Sequence, residues 1–206
     1  MKTFQFMVRT ASVLVLPILL SGCFETFSLL ETDYRPKGKT MAVIAGLDTE
    51  SNVVLAQRMA DALKKNTRFQ MMPHKQAAQA IPNYPVKIKG PYSSAYLEIE
   101  EDYSRTDKKK IRDIQQKLGV DYLYVLWTPT ATEIQGSIQQ LHIIGQMFEG
   151  SSGKELGHGK YVATAGRVGG CCLVPKPDDK DRANAVDDIS DYVSREIGEK
   201  MGMLKK

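Results

Sequence analysis

The sequence predicts an α/β (α+β) domain: a mixed β-sheet of about five strands with helices packed on it. Three observations carry that prediction. Beyond residue 38 the chain opens as strand, helix, strand, helix; its middle holds one unbroken apolar run, Tyr122 to Trp127; and an amphipathic helix closes it. Short apolar runs alternating with helical periods favour layered packing over a sandwich of strands alone.

The first strand is Met41-Ala42-Val43-Ile44-Ala45-Gly46, an apolar run bounded by turn residues. Asp48, Thr49 and Ser51 supply oxygens that can accept the free N–H groups of a helix start. The helix that follows sets Leu55, Met59, Ala62 and Leu63 on one face and ends near Asn66. Arg68 to Met72 reads as a second strand, and Pro73 suits the first turn of a short helix through Ala80. Ile81 to Tyr103 has no sustained period and carries Pro82, Pro85 and Pro91 among Tyr84, Tyr92, Tyr96 and Tyr103. A helix over Thr106 to Leu118 turns Ile111, Ile114 and Leu118 to one side, with Gly119 as its cap. Val120 to Trp127 runs without alternation, as a central strand covered on both faces does. Ile138 to Glu149 and Lys154 to Ala165 form a hairpin across Gly150-Ser151-Ser152-Gly153. A turn centred there pairs Leu141 with Val162 and Met147 with Leu156, leaving His142, Ile144, Phe148 and Tyr161 on the other face. The last helix, Arg182 to Leu204, carries the stripe Val186, Ile189, Val193, Ile197 and Met201.

The first residues have a different character. Lys2 and Arg9 precede an apolar run from Ala11 to Leu20, and Leu20-Ser21-Gly22-Cys23 closes it. Those are the parts of an export signal, and the run is too short to span a bilayer. Ending on cysteine, the segment looks like a bacterial lipoprotein signal. That resemblance implies residues 1–22 as signal peptide, Cys23 as the acylated (palmitate-type) first residue, 23–38 as a lipidated tether, and 39–206 as a single periplasmic domain. Fifteen residues reach roughly 50 Å at most. The other reading of 24–38 is that its apolar half, with Phe24, Phe27, Leu29 and Leu30, packs on the domain.

Composition narrows the function classes. Removing residues 1–22 takes the 28 basic residues to 26 against 24 acidic ones, a net charge of about +2, which carries no nucleic-acid signal. Membrane binding would rest on the lipid at Cys23, with no other cofactor expected. No catalytic or metal site is expected: His74, His142 and His158 lack metal-motif spacing, and no glycine-flanked serine elbow or phosphate loop is present. Cys171-Cys172 is the one unusual chemical feature. Adjacent cysteines can bond only with strain, so a disulfide within the pair, one between molecules, and a redox role all stay open. The tyrosines Tyr84, Tyr92, Tyr96 and Tyr103 are a candidate partner surface, since tyrosine offers contact area at low entropic cost. The bland alternative is that they cap the sheet edge.

The lipobox, Lys39-Thr40-Met41-Ala42-Val43-Ile44-Ala45, the helix ending Ala62-Leu63-Lys64-Lys65, and Arg68-Phe69-Gln70-Met71-Met72 form a recognisable order. Leu118-Gly119-Val120-Asp121-Tyr122-Leu123-Tyr124-Val125 and the turn Ser152-Gly153-Lys154-Glu155 extend it. Together they resemble the envelope lipoproteins built on the TolB N-terminal-domain fold, the wider group that includes CsgG-like secretion lipoproteins. The resemblance implies a domain that is not an enzyme and works by protein–protein contact in envelope assembly or export, through an envelope partner or self-assembly. Phe24 after the cysteine then implies the outer membrane, with the domain facing the periplasm. The alternatives are a periplasmic ligand- or glycan-binding lipoprotein and, third, a thiol-redox protein using Cys171 and Cys172.

Overall fold

The computed structural model describes residues 27–95, 98–129, 139–150, 152–165 and 179–206. The signal segment, Cys23, Tyr96, Cys171 and Cys172 lie outside the described residues.

The strands are β1 (Ser28–Leu29), β2 (Thr40–Ala45), β3 (Gln70–Met71), β4 (Tyr92–Ala95), β5 (Glu98–Glu101), β6 (Tyr122–Trp127), β7 (Gln139–Glu149) and β8 (Glu155–Ala165). The helices are α1 (Glu50–Asn66), α2 (His74–Ala80), α3 (Lys108–Leu118) and α4 (Asp179–Lys200). Six strands form a mixed sheet in the order β1-β8-β7-β6-β2-β3, with β2 parallel to β3 and β6 and the other pairs antiparallel. The α/β class is as the sequence predicts. The sixth strand is β1, which comes from the segment read either as a tether or as packing on the domain. Phe27 is fully buried, its ring edge-on to Tyr124, and Ser28–Leu29 pairs with β8. Phe27 and Leu29 therefore pack on the domain, because removing them from water outweighs the entropy of a free chain there, while Leu30 stays exposed.

Local chemistry fixes the elements. Thr49 caps α1, its side chain accepting the Asn52 N–H, and Asp107 caps α3 by accepting from Lys110 N–H at 3.0 Å. Gly119 ends α3 in the left-handed region at φ 62°, where a side chain would be strained. Asp121 then ties the start of β6 to β2: its Oδ2 accepts from Lys39 N–H, Thr40 N–H and the Thr40 hydroxyl at 2.7–2.9 Å. Those bonds, led by Thr40, hold the Asp121 carboxyl below the usual range. Every residue of β6 is buried, as its unbroken apolar run requires.

Two apolar clusters flank the sheet. On one face α1 and α4 bury Leu55, Met59, Leu63, Val193 and Ile197 against Met41, Val43, Tyr124 and Tyr161. On the other, α2 and α3 bury Ala77, Ile81, Ile111 and Ile114 against Ile44, Val125, Trp127 and Phe148. The β7–β8 pairing differs from the expected register by one residue. Leu141 faces Ala163, His142 faces Val162, Ile143 faces Tyr161 and Met147 faces Gly157. A bulge between Met147 and Phe148 restores the expected offset only at Phe148 and Glu155. The slip moves Tyr161 to the α1/α4 face, since a one-residue shift exchanges the faces of a strand. Gly145 faces Gly159 there, and a Cβ on Gly145 would collide with the Tyr124 hydroxyl.

Residues 81–103, which show no sustained period in the sequence, fold in part into the separate hairpin β4–β5, closed at its base by Asp102 N–H donating to Pro91 O.

Candidate functional site

A groove opens where the sheet runs out. Strand β3 pairs with β2 only through Gln70 and Met71, and Pro73, which has no N–H to donate, turns the chain into α2. Helices α1 and α2 pack on opposite faces, so their facing sides leave a trough around that edge. Its volume is about 620 Å³, lined by Val53, Ala60, Met71, Met72, Ala78 and Tyr84 among others, with Asp61, Lys64, His74 and Lys75 adding charge and polarity. Met71 packs against the α1/α4 cluster and Met72 against the other, so the pair straddles the edge.

One wall is a hydrogen-bonded relay. The Tyr84 phenol oxygen accepts the Ala45 N–H at 3.0 Å, on a stretch of β2 that β3 is too short to cover. Its distance to His74 Nε2 is 2.9 Å. With the oxygen already accepting, the phenol proton is free to go to Nε2, which requires neutral His74 with its proton on Nδ1. Burial lowers the His74 pKa, opposed by the Asp61 carboxylate, which agrees with a neutral ring. Lys64 and Lys75 are exposed and, among the described residues, neither is ion-paired.

Tyr92 and Tyr103, from the same expected partner surface, are also among the described residues. Tyr92 is half-buried against the α2/α3 cluster. Tyr103 stacks on His158, ring centroids 3.7 Å apart and planes 13° from parallel. Tyr84 and Tyr92 thus both pack against the α2/α3 cluster, while Tyr103 stacks on His158. Tyr84 lines the groove; its partner His74 and the lysines Lys64 and Lys75 had no signal in the sequence beyond their residue type.

Tyr103 belongs to a polar network that fastens the 81–107 segment to β7 and β8. The Thr106 hydroxyl donates to Gln146 Oε1 at 2.5 Å, and Gln146 Nε2 donates to Glu155 Oε1 at 2.9 Å. His158 Nδ1 lies 2.9 Å from the same oxygen, and Lys108 Nζ lies 3.5 Å from Glu155 Oε2. Glu101 pairs with Lys160 beside them. Burial alone would raise the Glu155 pKa, but the bonds from His158 and Gln146 and the Lys108 charge hold it below the usual value. His158 is half-buried under Tyr103 for this reason. His142 is buried on β7, and burial, with the Lys160 charge, lowers its pKa. Among the described residues no group of three or more His, Cys, Asp or Glu side chains could hold a metal ion. No described helix is long and apolar enough to cross a membrane.

No family profile and no curated protein matches this sequence. Solved structures do. A PelC dodecamer from Paraburkholderia phytofirmans aligns at TM-score 0.47 and 10% identity, covering 84% of this chain and 98% of that one. The lipoprotein GNA1162 of Neisseria meningitidis aligns at 0.44 and 11%, covering 76% and 98%. The LpoB C-terminal domain of Escherichia coli aligns at 0.42 and 13%, covering 66% and 89%.

Proposed function

We propose that this chain is a non-enzymatic lipoprotein, anchored through Cys23 in the outer membrane with its domain in the periplasm. It acts by binding protein partners in envelope assembly or export. The observation that supports this reading is how its polar side chains are used. Glu155 and His158 fasten the 81–107 segment, and Asp121 ties β2 to β6. Asp191 joins α4 to α1 by accepting from Asn66 and Lys65 while also pairing with Arg195. These groups are spent on holding the fold. The α1/α2 groove instead presents apolar surface rimmed by unpaired cations, the makings of a contact site.

The test has two parts, both on the full chain in a bacterial envelope. Wild-type protein should take up radiolabelled palmitate and fractionate with outer membranes, and Cys23→Ala should do neither. A photo-crosslinking residue placed at Gln57, Lys109 or Glu199 should join the chain to a defined envelope protein or to a second copy from at least one position. Label uptake by Cys23→Ala would overturn the anchor, and no crosslink from any position would overturn the contact role. The groove volume also falls within the roughly 300–1,000 Å³ of small-ligand sites, which favours ligand binding as the second reading. That reading requires a ligand-dependent rise in Tm, which a pure scaffold does not show.

A further inference from the structure

We infer that the groove takes an extended peptide segment of a partner protein, one that alternates apolar residues and carries at least one carboxylate, and that pairs with the open edge of β3. This deepens the contact reading above and rests on it.

The first support is backbone direction. Gln70 N–H donates to Lys39 O and Met72 N–H donates to Met41 O, both at 2.8 Å. Successive residues of a strand point their N–H and C=O groups to opposite sides. Met71, between them, therefore turns its own N–H and C=O away from β2, to the edge where no described strand follows β3. One donor and one acceptor at the lip of an apolar trough match the main chain of an extended peptide. Pro73 limits the pairing, since two residues beyond Met71 the chain offers no N–H. The ladder is thus one residue long, and side chains must supply the remaining affinity.

The second support is the lining. Met71 and Met72 put two flexible, polarisable side chains on either side of the edge, with Val53, Ala60 and Ala78 close by. An extended peptide sends alternate side chains to opposite sides, and here each side meets an apolar wall. The third support is charge. Lys64 on α1 and Lys75 on α2 rim the groove without an ion-pair partner among the described residues. Asp61 lines the same groove and offsets one lysine, so the two lysines still leave the rim with an excess of positive charge. Charge complementarity then selects a carboxylate on the incoming segment.

The experiment selects short random peptides displayed on phage against the full chain in detergent. Enriched sequences should alternate apolar residues and contain Asp or Glu. A synthetic winner should slow hydrogen exchange at the Met71 amide. The double variant Lys64→Glu/Lys75→Glu should bind that winner about tenfold more weakly, since the charges are exposed and reversal turns attraction into repulsion. Selection on that variant should enrich Lys or Arg instead. Gln57→Trp, an exposed change that fills the trough, should compete with binding in the same way. No enrichment, equal binding by the double variant, or unaltered exchange at Met71 would each overturn the proposal. If selection fails while Lys109 or Glu199 still crosslinks to an envelope protein in cells, the groove assignment falls and the contact role stands. Failure of every crosslinking position removes both.

Discussion

On one face of the sheet, α1 and α4 bury Leu55, Met59, Leu63, Val193 and Ile197 in a continuous apolar cluster. On the other, the segment from Glu101 to Lys108 is fastened to β7 and β8 by Thr106–Gln146–Glu155, the His158–Tyr103 stack and the Glu101–Lys160 pair. The first face gains stability from area removed from water, which is non-directional and tolerates modest repacking. The second depends on a chain of directional bonds around a carboxylate whose side chain is only 9% exposed. Losing one member there leaves the others buried without partners. The two regions thus respond differently to substitution: the α1/α4 cluster should fail through cavities and the Glu155 network through orphaned groups.

The largest effect tests the helical face. Leu63→Ala, at a fully buried position, should lower stability by about 2–5 kcal/mol, read by chemical denaturation with an unchanged slope. The polar face is the next test. Glu155→Ala should cost about 1–3 kcal/mol and also speed hydrogen exchange in β4–β5 while leaving α1 protected. Equal loosening of both regions would erase the distinction between the faces. A third effect is smaller and depends on pH. His74 and His142 have lowered folded-state pKa values, so below the unfolded value of 6.5 the unfolded chain binds more protons than the folded one. Stability should therefore be complete above about pH 6.5 and decline as pH falls below it. A second decline follows as Asp121, Glu155 and Asp191, all held below their ordinary values, begin to protonate. A flat profile from pH 7.5 to 5.5 would show that neither imidazole is held neutral. The smallest effect is at Tyr84→Phe, which should cost about 1 kcal/mol by leaving Ala45 N–H and His74 Nε2 without the phenol. The His74 titration measured by NMR should move in that variant and stay put in Tyr92→Phe.

The same contrast explains what was legible in the sequence. The face held by periodic apolar residues could be read directly, because Leu55, Met59 and Leu63, or Val193 and Ile197, must recur at helical spacing to meet a sheet. Strand β6 was legible for the related reason that burial on both sides leaves an unbroken apolar run. The hairpin β4–β5 was not, since Tyr92-Ser93-Ser94-Ala95 carries no apolar alternation and the segment is held by bonds to residues tens of positions away. Nor was β1, whose two residues pair with β8 only because Phe27 finds a place beside Tyr124. The β7–β8 register slipped by one because a bulge lies between Met147 and Phe148, and no residue type announces a bulge. Of the candidate site, Tyr84 was visible as a tyrosine in an irregular stretch. Its link to His74 and the groove depends on where β3 stops, which is a property of the assembled sheet.

If Cys23 carries the proposed lipid, docking of Phe27 also bears on how the molecule would stand on a membrane. On the anchoring proposed above, only four residue steps separate the lipid at Cys23 from the buried ring, a reach of about 14 Å in place of the roughly 50 Å of a free tether. Strand β1 is one border of the sheet and β3 is the other. Five spacings of about 4.8 Å lie between them, so the groove opens some 24 Å across the sheet from the leashed border. Such a short leash would remove most of the domain's freedom to tumble and leave the border proposed to accept a peptide displaced from its point of attachment. A partner would then meet a presented edge, with the lipid setting its height above the bilayer.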